Sequence, residues 1–146
     1  MAEHKTMPDH HQDELEKRKE ELKTYHQELI QAHFQEDLDF FTRDISQDYF
    51  SVSRAEIRHP SEKEIREQFK NYLGRTSFRE YKDLQEPIIG ISRDGSLGWS
   101  LVRVRVAGDQ EGEDGSMADL DFTCAWITLF ERQGEKWIRL GEVSSF

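Results

Sequence analysis

The chain has 146 residues and a mass of 17.3 kDa, a length that fits one domain able to bury a core without staples. Thirty Asp and Glu against 20 Lys and Arg give a formal charge of −10, which argues against a nucleic-acid binder and against adsorption to anionic lipid. Nine Phe, four Tyr and three Trp bury much area per residue and exclude a disordered chain. A single cysteine, Cys124, excludes an internal disulfide and a multi-cysteine zinc site, and reads as a reducing compartment. No apolar run approaches the ~20 residues of a membrane span, and the polar N-terminus lacks a signal-peptide core. The expected location is cytoplasmic.

In chain order, residues 1–11 read as a disordered tail and 12–146 as one domain. His4, His10 and His11 in the tail match no metal motif. From Gln12 to Phe41 apolar residues recur at steps of three and four, which marks one helix. Its charged first turns, Glu14 to Lys23, are expected to project beyond the core. Asp44 to Asp48 reads as a turn or helical piece, and Tyr49 to Ser53 alternates as a strand. Ser61 and Glu64 form a capping-box pair that opens a helix with a stripe of Ile65, Phe69, Tyr72 and Leu73. Gly74 is expected to end it.

After Gly74 the period changes to two. Strands are expected at Thr76–Leu84, Pro87–Ser92, Leu97–Val106, Asp119–Arg132 and Trp137–Val143. Asp94-Gly95 and Gln133-Gly134-Glu135 mark hairpin turns, and residues 108–115 a mobile acidic loop without the calcium-loop pattern. Helices followed by hairpin-connected strands give an α+β fold with helices on one face of an antiparallel sheet. The strand centres are apolar on both faces, as with Trp99 and Leu101 opposite Val102, or Ile127 and Leu129 opposite Thr128. The outer face therefore needs a partner, and a homodimer through it is the simplest solution.

Several segments, in this order and spacing, resemble the nuclear transport factor 2-like superfamily in its SnoaL-like and ketosteroid-isomerase-like branch. They are Ala32 to Phe41 with Asp37, Asp48 to Ser53, Ile65 to Phe69, Ser92 to Ser96 before Trp99, and Ala125 to Trp137. The resemblance covers roughly 22–146. It implies a cone-shaped curved sheet wrapped on N-terminal helices around an apolar pocket, often dimeric through the sheet. It also places the steroid-isomerase base at Ser53, the helix tyrosine at Leu29, the late aspartic acid at Trp126 and a supporting tyrosine at Phe69. None of these matches, which speaks against steroid isomerisation.

The residues expected to line the cavity are His33, Phe41, Phe50, Tyr72, Ser100, Val102, Phe122, Cys124, Trp126 and Thr128. They read equally as a pocket wall or as core. His33 is the catalytic candidate, a general acid or base if it faces the cavity. The alternative is a core histidine satisfied by Asp37 or a strand hydroxyl. Cys124 reads as a small hydrophobe. No metal, cofactor, nucleic acid or membrane is implied. Two functions remain: a small-molecule-binding protein with a possible isomerase, cyclase or dehydratase activity, or an association module with a filled cone.

Overall fold

Residues 9–146 are described by the computed structural model, with side chains from His10 onward. Residues 1–8, which hold most of the expected tail, lie outside them. The elements run α1 (Asp9–Gln35), α2 (Leu38–Thr42), β1 (Ile45–Ser53), β2 (Glu56–Arg58), α3 (Glu62–Arg75), β3 (Thr76–Asp83), β4 (Ile88–Ile91), β5 (Leu97–Glu111), β6 (Met117–Gln133) and β7 (Lys136–Ser144). Asp9, His10 and His11 thus belong to α1.

The single long helix read from the stripe is two helices. Glu36 takes a left-handed φ of 54°, and the Asp37 carboxylate then accepts from the Phe40 amide as the N-cap of α2. A short acidic side chain that satisfies helix amides from outside starts a new helix there. The charged half of α1 also does not project. Leu22 is buried, Arg18 donates to the Gly95 carbonyl at 2.9 Å, and Glu21 accepts from Trp137 Nε1 and Arg132. The capping box of α3 forms as read, with Ser61 Oγ taking the Glu64 amide and Glu64 returning the bond. Gly74 does not end α3. The next strand begins at once, and Thr76 in extended conformation donates its amide to Leu73 and its hydroxyl to Tyr72. No left-handed residue is required.

The sheet order is β2-β1-β7-β6-β5-β3, with β4 on β5 beyond β3. It is curved and unclosed, and it is mixed: β1 runs parallel to β7, whereas the remaining pairs are antiparallel. Strands replace two expected loops. Ile45 pairs with Arg139, and β5 and β6 continue to a tight turn at 112–116, where Asp114 accepts from Ser116.

Three bulges break the period of two. In β3 the register skips Arg79, so Phe78 and Tyr81, three residues apart, both point to the concave face. In β7 it skips Leu140, so Arg139 and Glu142 share that face. A third lies in β1 between Ile45 and Phe50. Bulges bend strands and deepen their twist. At the β3 bulge the backbones close so tightly that a Cβ on Gly108 would lie 2.2 Å from the Ser77 carbonyl.

On the concave side Leu29 and Ala32 of α1, Phe40 and Phe41 of α2, and Leu73 of α3 pack against Tyr81, Val104 and Val106. The convex side has two halves. One is an apolar row across six strands in register: Ile57, Val52, Val143, Ile127, Leu101 and Ile88. Beside it the Trp99 ring lies on Gly90 and the Phe50 ring on Gly141. The other half is an ion-pair lattice in which Arg79 holds Asp109 and Asp119, and Arg105 holds Glu80 and Asp121.

Candidate functional site

Between the concave face and the helices lies a cavity of about 640 Å³. Helix α1 supplies Tyr25, Leu29 and His33; α2 supplies Phe41; α3 supplies Ile65, Phe69 and Tyr72. The sheet supplies Tyr49 and Ser51 from β1, Tyr81 from β3, Val104 from β5, Leu120 to Thr128 in alternation from β6, and Arg139, Glu142 and Ser144 from β7. The mouth carries Arg54, Gln68, Asn71, Arg75, Gln110 and Phe146.

Of the residues expected from the sequence, His33, Phe41, Tyr72, Phe122, Cys124, Trp126 and Thr128 come together on the cavity wall. Phe50, Ser100 and Val102 do not. The strand phase at β1 is one residue off, so Tyr49 faces inward and Phe50 lies outside on Gly141. Ser100 and Val102 are on the concave face but are only 3% and 2% exposed, buried away from the cavity.

His33 is caged by rings: Tyr81 at 4.3 Å, Phe41 at 5.0 Å, Phe78 at 5.5 Å and Tyr72 at 6.2 Å between centroids. Its Nδ1–H donates to the Leu29 carbonyl at 2.8 Å, one turn back, and not to Asp37 or a strand hydroxyl. That bond leaves Nε2 with the lone pair. Burial lowers the imidazole to about 4, against a smaller upward pull from the Leu29 bond. At neutral pH His33 is therefore a neutral acceptor and a weak base. A second histidine, His26, is held by Asp83 at 2.6 Å and ties α1 to β3.

The polar group of the wall is one that sequence reasoning missed. Arg139 is buried, donates Nη2 to the Phe41 carbonyl at 2.7 Å, and lies over the Tyr25 and Tyr49 rings at 5.9 and 6.0 Å. Burial raises the Glu142 carboxyl above its ordinary range, with Arg139 opposing the shift. Burial likewise raises the Tyr49 and Tyr25 phenols, so both stay protonated donors, and pushes Tyr72 up to about 12. The group thus offers a fixed cation, phenol donors and a carboxyl that burial shifts toward its protonated form. Its only sequence signal is Arg139 and Glu142 at a spacing of three, which a regular strand would put on opposite faces. Among the described residues no group of three or more His, Cys, Asp or Glu is placed to hold a metal.

No family model matches the chain, and no curated protein does. Solved structures do. A nuclear transport factor 2-like superfamily protein from Salmonella enterica superposes with a TM-score of 0.69 at 12% identity, covering 89% of this chain and 91% of that one. The chain has the nuclear transport factor 2-like fold. Others of this fold include a candidate dehydratase from Streptomyces avermitilis (TM-score 0.66, 8% identity, 86% and 94% covered). The association domain of the C. elegans kinase CaMKII also superposes (TM-score 0.61, 10% identity, 92% and 99% covered). Within this nuclear transport factor 2-like cavity, the steroid-isomerase positions Leu29, Phe69 and Trp126 line the wall and Ser53 does not. None carries a carboxyl or phenol, and the wall's carboxyl is Glu142 instead.

Proposed function

We propose that this nuclear transport factor 2-like chain is a SnoaL-like small-molecule-binding protein. Its cavity takes a mainly apolar ligand without a cofactor, and Glu142 supplies acid–base chemistry of the isomerase, cyclase or dehydratase kind. One observation carries the reading: an aromatic cavity of about 640 Å³ holds a protonatable carboxyl together with Arg139 and Tyr49. A carboxyl raised by burial moves toward the pH at which it can both give and take a proton. His33, the candidate from sequence, serves as a hydrogen-bond acceptor through Nε2 and not as the base. The test is a thermal-shift panel of aromatic and alicyclic ketones, followed by deuterium wash-in from D₂O on any binder. Binding should weaken in Trp126→Ala, and Glu142→Gln should keep binding while losing exchange. If no member of the panel raises the melting temperature, the reading fails.

A second reading has its own observation, the apolar row of the convex face. Leu97, Trp99, Leu101, Ile88 and Val143 are each 36–49% exposed there. We propose that a second copy of the chain covers this row, giving a homodimer in the cytoplasm. Light scattering should find a dimer, and Leu101→Asp should convert it to a monomer. A wild-type monomer at tens of micromolar would remove this reading without touching the first. No helix among the described residues is long and apolar enough to cross a membrane.

A further inference from the structure

The cavity is graded from end to end. Its floor is buried and aromatic, with His33, Phe41, Tyr49 and Tyr81 each less than a tenth exposed. Its mouth is polar and open, with Arg54, Gln68 and Asn71 exposed and Arg75 half-buried. Its ionic lining also inverts the charge of the chain. Against a net −10, the charged side chains on the wall are Arg54, Arg75, Arg139 and one carboxyl, Glu142, whose burial favours the uncharged form.

Pairing separates these arginines from six of the nine others, while Arg43, Arg93 and Arg103 outside the cavity also hold no carboxylate among the described residues. Arg18, Arg58, Arg66, Arg79, Arg105 and Arg132 each hold a carboxylate. Arg139 is engaged by the Phe41 carbonyl and two rings. The Arg54 and Arg75 guanidinium groups hold no side-chain carboxylate among the described residues, although the Arg54 amide bonds the main-chain oxygen of Phe146. Arg75 spends Nη1 on the Glu111 carbonyl, and its buried Nε has no partner there. A buried N–H without an acceptor is costly, and a ligand oxygen at the mouth would remove that cost. Thr76 bonds the carbonyls of Tyr72 and Leu73, and the two guanidinium groups must outweigh what remains of the negative end of the α3 dipole. A planar guanidinium fork suits a planar carboxylate.

We infer that the cavity takes an aromatic or alicyclic carboxylate, body inward among the rings, with its carboxylate at the Arg75 mouth and Arg54 as the second cation. This deepens the ligand-binding reading and rests on it. It holds with or without chemistry at Glu142.

The test is calorimetric titration of the full chain with 2-naphthoate, its neutral amide 2-naphthamide, and the cation 2-naphthylmethylammonium. Naphthoate should bind about tenfold tighter than the amide, since charge-assisted bonds are roughly twice as strong as neutral ones, and the cation should be weakest. Arg75→Gln should bring acid and amide to within about twofold while leaving amide affinity unchanged, and Arg54→Gln should do so in part. Near-UV circular dichroism checks that Arg75→Gln is folded; should it not be, Arg54→Gln and Arg75→Lys carry the comparison. Equal binding of all three probes overturns the anion assignment and leaves the cavity reading standing. A naphthoate preference that survives both glutamine variants overturns the placement at the mouth. No binding by any probe removes the ligand reading and this inference together.

Discussion

The two faces of the sheet are built from the same strands and both carry apolar residues, yet they end differently. On the concave face Val104, Val106 and Phe130 are sealed beneath helices that leave one cavity open. On the convex face Leu97, Trp99 and Leu101, in the opposite phase of β5 from Val104 and Val106, remain 36–45% exposed. Burial follows from what lies opposite, and alternation alone does not decide it. The concave face spends its apolar area within the chain, while the convex face leaves it exposed, where the proposed second copy would cover it.

Substitutions test how far the faces differ. The largest effect should come from Phe41→Ala, since Phe41 is 2% exposed, stacks on Phe69 at 4.2 Å and abuts His33. A loss of about 3–5 kcal/mol is expected in urea unfolding. Trp99→Ala, measured at concentrations where the chain is monomeric, should cost far less; equal losses would break the comparison.

Next is pH. The folded state lowers His33 from 6.5 to about 4, so the unfolded chain binds the extra proton between those values. The stability His33 contributes is present above pH 6.5 and is lost as pH falls through about 4, a swing of about 3 kcal/mol. His33→Phe should flatten that part of the profile. Glu142 acts with the opposite sign. Its carboxyl is raised, so its cost appears as pH rises above 4.5, and Glu142→Gln should gain stability at neutral pH relative to pH 4. Both follow from melting curves across pH.

Ser61→Ala removes the cap of α3 and should cost about 1 kcal/mol by the same urea assay. The smallest effect belongs to the convex lattice. Arg105→Gln breaks exposed pairs with Glu80 and Asp121 and should leave the melting temperature unchanged within error.

How legible each face was depends on the reach of the signal. The capping box of Ser61 and Glu64, the turns at Gly95 and Gly134, and the inward stripe of β5 are local patterns, and they read correctly. His33 and Tyr72 reached the cavity because helical spacing carries no bulge, and Phe41 reached it from α2, across the break at Glu36. The strands of the site are where local reading failed. Phe50 lies outside because its ring rests on Gly141 of another strand, and Glu142 joins Arg139 because the register skips Leu140. Both depend on a neighbour about 90 residues away or on a register that only pairing reveals. Asp37 divided the first helix, since a cap and a mid-helix acid look alike until the preceding φ is known.

The ring of Trp99, laid flat over Gly90, gives the molecule an optical property. Its indole sits on the outer surface, while that of Trp126 lines the cavity, edge-on to His26. Each face therefore owns a native fluorophore. With Trp137 replaced by Phe to silence the third, a blue shift confined to Trp99 would report a covered sheet. Quenching confined to Trp126 would report an occupied cavity. One unlabelled sample could then show whether filling the inside and covering the outside are independent events.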